Sequence, residues 1–201
     1  MKNNNLRDKD NPFDIGNDWW NNISIKISDE KWLIYSEAYK RSAEILMEYV
    51  NQNRIEENFL IYPVLFLCRH YIELKLKQIF KEGYQYLHRK EKIPTNHKIE
   101  DLFKSVKRIV TEVFSDINCT DEYLRELVIM EQFIQKLVEY DPNSISFRYP
   151  TQKNGSPTLA NLDYLNLTKI RKTMKRIINT LESICEEISL LKDQKNEYIN
   201  L

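Results

Sequence analysis

Glycine is almost absent from this chain, and its scarcity limits the folds that the chain can adopt. The 201 residues include 3 Gly and 6 Pro, the two residue types on which tight turns depend most. An all-β domain of short strands needs a turn signal roughly every 8 to 12 residues. The sequence therefore predicts an all-α protein.

Apolar residues recur at helical spacing in five separate stretches, which predicts an up-and-down bundle of about five helices. The first is predicted over 29–52 after a Ser28 N-cap, and the second over 56–83, with Pro63 either opening its main segment or kinking it. The third is predicted to start after an Asn96 N-cap. A fourth is predicted from Thr120 or Asp121 to Asp141-Pro142. A fifth is predicted over 165–196.

The segment 144–164 does not fit a helix. Ile145, Phe147 and Tyr149 alternate with polar residues around Gly155, a pattern typical of a short β-hairpin or an extended arm. We expect this insertion to connect helices four and five. Residues 1–22 form a polar leader ending in Trp19-Trp20, and 23–201 are predicted to be a single domain.

Several classes of protein are disfavoured by composition and motifs. Lys+Arg and Asp+Glu number 30 each, so no long-range basic field attracts nucleic acid. The longest apolar run, 59–68, is about half of the roughly 20 residues that a membrane helix needs, and the polar start lacks the core of a signal peptide. Cys68, Cys119 and Cys185 suggest buried thiols in a reducing cytoplasm. We expect a cytoplasmic protein with no metal, no cofactor and no membrane partner, because no phosphate loop, nucleophile elbow or metal-ligand spacing is present.

A polar strip interrupts the second helix, which is otherwise apolar nearly all the way round. Arg69, Glu73 and Lys77 follow one another at i+4 spacing, and His70 lies beside Arg69. Unpaired charges in a core cost several kcal/mol each, so the strip must face a cleft, a subunit interface or paired partners. The alternative is an ordinary solvated ladder of alternating charges.

The residues of this strip suit metal-independent RNA cleavage. An Arg can hold a phosphate, and an imidazole can move the proton of a 2′-hydroxyl. His97, predicted at the start of the third helix, is a second candidate for proton transfer. Arg148 and Tyr149 are expected to fold over the strip, where Arg148 either pairs with Glu73 or binds substrate.

Three short motifs together resemble the HEPN superfamily of small prokaryotic helical domains. They are YPVLFLCRHYIELKLKQIF, which contains RHxxELxLK, then NHKIEDLF, which fits H-x-x-x-x-L, and then DPNSISFRYP, which contains FRYP. The resemblance implies a HEPN-like bundle, homodimeric through its long helices, in a bacterial toxin–antitoxin or phage-defence system. It further implies binding of RNA or nucleotide and endoribonuclease activity.

The resemblance implies roles for the residues that match these motifs. Arg69, His70 and His97 would be catalytic, while Glu73, Lys77, Arg148 and Tyr149 would hold the substrate. Adjacent helical residues point about 100 degrees apart, so Arg69 and His70 do not reproduce the side-by-side Arg and His of HEPN nucleases. This departure favours the alternative of a non-catalytic interaction module, an antitoxin or scaffold whose polar strip binds a partner protein.

Overall fold

The computed structural model describes residues 12–13, 16–25, 31–90, 92–115 and 120–199. Five α-helices between residues 31 and 199 form an all-α bundle. The helices are α1 (Lys31–Gln52), α2 (Glu57–Tyr86), α3 (Ile99–Ser115), α4 (Thr120–Tyr140) and α5 (Leu167–Ile199). Single 3-10 turns lie at Trp19–Asn21 and Arg54–Glu56. The prediction of a bundle of about five helices is confirmed.

Internal contacts divide the chain into two units, Met1–Lys31 and Trp32–Leu201. In the first unit, Asn22 exchanges two hydrogen bonds with the backbone of Gly16, at 2.9 and 3.0 Å. All residues of the candidate site belong to the second unit. No helix in the described part of the chain is long and apolar enough to cross a membrane.

The helix ends differ from the predicted ones in detail. Pro63 does not open the main segment of α2, because it lies inside the helix. Asn96 accepts a hydrogen bond from Lys98 N at 3.2 Å, but α3 begins only at Ile99. The proposed Ser28 cap lies outside the described residues. Asn166 caps α5 by accepting from Lys169 N at 2.9 Å.

Helices α2 to α5 pack against one another in sequence order, and α5 closes against α2. Helix α2 therefore has neighbours on several sides, which explains why it is apolar nearly all round. The core is made of apolar residues with almost no exposure, among them Val64, Ile72, Leu76, Ile79, Phe103, Val106, Leu127, Ile134, Met174, Leu181 and Ile184. Helix α1 adds Ala43, Met47 and Val50 to this core.

Gly83 sets how closely α2 approaches α3. A Cβ atom at this position would lie 2.2 Å from Ile109 Cγ2, far inside van der Waals contact. Only the absence of a side chain allows the two helices to meet here.

Residues 141–166, called the arm below, connect α4 to α5. The arm contains one isolated antiparallel bridge, Thr151↔Pro157, around a turn in which Gly155 has φ 82°. A β-hairpin with ladder strands is not formed, so the alternative of an extended arm describes this segment better. Ser144 and Leu159 also have positive φ, at 60° and 56°.

Candidate functional site

The polar strip of α2 lies inside the protein and forms one charge network with neighbouring segments. Arg69, Glu73 and Lys77 are 0%, 1% and 7% exposed, and Asp141 at the start of the arm is 1% exposed. His97 joins the network from the segment before α3. The interpretation of the strip as a solvated ladder is therefore wrong.

Arg69 connects three parts of the chain. Its Nη1 donates to Glu73 Oε2 at 3.2 Å on the same helix, and its Nη2 donates to the backbone oxygen of His97 at 2.9 Å. Its Nε lies 3.1 Å from Asp141 Oδ2; this contact is an ion pair without the alignment of a hydrogen bond. Burial lowers the pKa of Arg69, and the Asp141 and Glu73 carboxylates offset this only in part.

Glu73 is the centre of the network because three donors converge on its carboxylate. Besides Arg69, Lys77 Nζ lies 2.9 Å and His97 Nδ1 lies 2.8 Å from Oε1. Burial alone would raise the pKa of Glu73, but the hydrogen bonds from Lys77 and His97 outweigh it and the pKa is lowered. Glu73 is therefore an anion at neutral pH.

Asp141 fastens the arm to the network, a role that the sequence did not reveal. Its Oδ1 accepts hydrogen bonds from Ile145 N at 2.6 Å and Ser146 N at 2.8 Å, while Oδ2 faces Arg69. One carboxylate thus folds the first turn of the arm and pairs with α2. The sequence pattern marked Asp141 only as the residue at which α4 stops.

His97 is the part of the network that reaches the surface. Its side chain is 63% exposed although Nδ1 contacts Glu73. Because the carboxylate can only accept, Nδ1 carries a proton and donates it to Glu73. The ring therefore has a fixed orientation, and Nε2 has no hydrogen-bond partner in the described part of the chain.

His70 lies beside the network in an aromatic setting. Its ring stacks on Phe66 with centroids 5.6 Å apart and meets the edge of Tyr39 at 4.3 Å. Burial lowers the pKa of His70; Glu73 raises it, while His97, Arg69 and Lys77 lower it further. The imidazole is therefore neutral at neutral pH.

Arg148 does not form the predicted ion pair with Glu73. Its Nε and Nη2 both donate to the Ser144 backbone oxygen, because the Glu73 carboxylate is already occupied. The Arg148 guanidinium carbon is 5.5 Å from the ring centroids of both Phe66 and Tyr149. Among the described residues, no carboxylate lies within ion-pair distance of this exposed cation.

The predicted site residues thus fall into two groups. Arg69, Glu73 and Lys77 are buried and paired with one another or with other internal groups, which disfavours a direct contact between any of them and a ligand. The groups with exposed surface are His97, Arg148 and Tyr149, with half-buried His70 next to them.

The described residues show neither a cluster of metal ligands nor an exposed thiol. No group of three or more His, Cys, Asp or Glu side chains is placed to hold a metal ion there. Cys68 and Cys185 are buried free thiols, and burial raises the pKa of each to about 12. Cys119 lies outside the described residues.

Comparison with family models, with curated proteins and with solved structures yields no match. The chemistry of the site is therefore inferred from the positions and contacts of its own residues.

Proposed function

We propose that this protein binds RNA and cleaves it without a metal ion, as its resemblance to HEPN domains implies. The observation that carries the proposal is the His97 ring, which a buried glutamate orients at the exposed edge of a buried charge network. Two further groups lie within electrostatic range of the network: the His70 imidazole interacts with His97, and the Arg148 guanidinium interacts with Arg69. Glu73 orients a histidine here in the way that a carboxylate orients the general base of many hydrolases.

The two histidines and Arg148 supply the groups that RNA transesterification needs. One imidazole accepts the proton of the 2′-hydroxyl while the 2′-oxygen attacks the phosphorus. The other, in its protonated imidazolium form, returns a proton to the departing 5′-oxygen, leaving a 2′,3′-cyclic phosphate and a 5′-hydroxyl. Arg148 stabilises the charge that builds on the phosphate oxygens.

Arg69 has a different role in this proposal from the one that the sequence suggested. Since its guanidinium nitrogens all face internal partners, it positions His97 and the arm instead of clamping phosphate. Glu73, Lys77 and Asp141 complete the same frame. Tyr149 lies next to Arg148, where it can contact the substrate.

A cleavage assay tests the proposal. Purified protein is incubated with total RNA and with tRNA in EDTA, beside His97→Ala, His70→Ala and Arg148→Ala. We expect cleavage products with 2′,3′-cyclic phosphate ends, and a rate about 100- to 10,000-fold lower for His97→Ala because proton transfer by a positioned side chain is worth that much. The matched control is His88→Asn, since His88 has φ 53° and Asn tolerates that conformation.

The outcomes are distinct. Cleavage that needs His97 and survives His88→Asn supports the proposal. Absence of cleavage by the wild type, or equal cleavage by every variant, overturns the catalytic part.

The resemblance alone supports the wider biological setting. We propose a bacterial toxin–antitoxin or phage-defence system for this protein, and a homodimer in the cytoplasm. Four exposed apolar side chains fit a protein–protein surface: Ile34, Ile45 and Tyr49 on α1, and Phe59 on α2, between 45% and 73% exposed.

The second candidate is a non-catalytic interaction module. The burial of Arg69 and its ion pairs with Glu73 and Asp141 favour it, because the residue that best matches the family motif is then unavailable to substrate. Mass measured in solution, with and without the products of neighbouring genes, tests this candidate. A stable complex that Ile45→Lys disrupts, in a protein without RNA turnover, supports the module over the nuclease.

A further inference from the structure

A groove of about 1270 Å³ lies between the arm and the junction of α1 with α2. One wall carries Val50 and Tyr62, and the other carries Arg148, Tyr149 and Leu165. Its volume exceeds the roughly 300–1,000 Å³ of a pocket for one drug-sized ligand. The groove thus has room for an extended ligand longer than a single nucleotide.

Two of the charged side chains along the groove have no ion-pair partner among the described residues, the cation Arg148 and the anion Asp163. Arg54 and Glu57 pair with each other at 3.3 Å, so they neutralise one another. Arg148 is fixed through Ser144, so the groove offers an immobilised guanidinium to an anion.

The groove also presents three aromatic rings to solvent, of which Tyr164 is almost fully exposed at 93%. Tyr62 is 50% exposed on the helix wall, and Tyr149 is 54% exposed on the arm wall. Half-exposed aromatic rings are stacking platforms for unpaired bases, because every base has a π-face and stacking needs no particular sequence.

Arg148 belongs both to the groove and to the candidate site. Its guanidinium lies over Phe66, and Phe66 stacks on His70. A phosphate held by Arg148 would therefore lie where the groove approaches Phe66 and His70. The neighbouring nucleotides of the same strand would enter the groove.

We propose that the groove binds the unpaired nucleotides next to the phosphate held by Arg148, with bases stacked on Tyr62 and Tyr149. This inference rests on the proposed function and adds a substrate class, single-stranded RNA. A duplex keeps its bases stacked inside the helix, so it cannot use these rings.

Binding of an uncleavable RNA tests the inference. The probes are a fluorescent single-stranded 12-mer pool with 2′-O-methyl groups, which removes the nucleophile, and the blunt duplex of the same length. We expect the wild type to prefer the single strand. Tyr62→Ala and Tyr149→Ala should each weaken it by roughly 5- to 150-fold, the value of one stacked base.

Matched variants separate stacking from other effects. Tyr62→Phe and Tyr149→Phe keep the ring and should bind within about twofold of the wild type. Tyr35 on α1 is 45% exposed and does not line the groove, so Tyr35→Ala should bind as the wild type does. Circular dichroism confirms that each variant is helical.

The possible outcomes distinguish the groove inference from the cleavage proposal. Equal affinity for single strand and duplex, or tyrosine-to-alanine variants that bind like Tyr35→Ala, overturns the groove inference and leaves the cleavage proposal intact. Failure of the wild type to bind or cleave any RNA overturns both.

Discussion

The charged side chain of Arg69 is completely buried. The carboxylates of Glu73 and Asp141 compensate for the burial of this charge. If Arg69 is replaced by Ala, Glu73 and Asp141 stay buried without their shared cation. Removing one member of a buried ion pair typically costs about 3–5 kcal/mol. We therefore expect Arg69→Ala to lower the free energy of unfolding by about that amount, measured by urea denaturation.

The control for this prediction is an exposed ion pair. The side chains of Arg54 and Glu57 are 67% and 43% exposed, so Arg54→Ala should cost less than about 1 kcal/mol. Equal losses in the two variants would show that the network contributes no more than a surface pair. Because Arg69→Ala is expected to destabilise the fold, substitutions of His97 and His70 are the better variants for the cleavage assay.

Asp141 shows what the sequence could not predict about single residues. The i+4 spacing placed Arg69, Glu73 and Lys77 on one face of α2, because helix geometry is local. Which residue of the arm pairs with that face depends on how the first turn of the arm folds. Asp141 folds that turn through Ile145 N and Ser146 N, and no periodic pattern encodes such a contact.

At the scale of elements, Gly83 gives a test of how α2 meets α3. Alanine favours an isolated helix over glycine by about 1 kcal/mol, so helix propensity alone predicts that Gly83→Ala is stabilising. The 2.2 Å approach to Ile109 Cγ2 reverses the sign, because Ile is β-branched and cannot easily turn aside. We expect a net loss of about 1–3 kcal/mol, measured as a lower urea midpoint.

A compensating variant identifies the cause. Gly83→Ala combined with Ile109→Ala removes the clash, so the double variant should lose less stability than the two single losses added together. Additive losses would mean that Gly83 and Ile109 do not interact. The comparison requires that both single variants remain helical.

The helices could be predicted because the sequence patterns that indicate a helix are local. The segments that join the helices could not be predicted in this way. Periodicity located all five helices, and Pro142 correctly indicated where α4 ends. The start of α3 was predicted too early because Asn96 caps a turn that precedes the helix. The arm was predicted to be irregular, but its contacts with α2 depend on residues far apart in the sequence.

At the scale of the whole molecule, the balance of charge limits how RNA could be held. Lys+Arg and Asp+Glu are equal at 30 each, and many of the surface charges pair with one another, as Arg89 does with Glu112 and Arg176 with Glu126. Such a surface produces little long-range attraction for a polyanion. Affinity must then come from a few local contacts and from stacking.

This balance predicts a weak dependence of RNA binding on salt. For a single strand, the logarithm of the binding constant falls with the logarithm of salt concentration by about 0.7 per phosphate neutralised. With Arg148 and one protonated histidine as the cations, we expect a slope of about −0.7 to −1.4, measured by fluorescence anisotropy between 50 and 300 mM KCl, roughly the range in which such slopes are linear. Arg148→Gln should reduce its magnitude by about 0.7, whereas Arg54→Gln should leave it unchanged because Arg54 is neutralised by Glu57. A slope steeper than about −3 would require four or more phosphate contacts, which would place the RNA on a different, more basic surface.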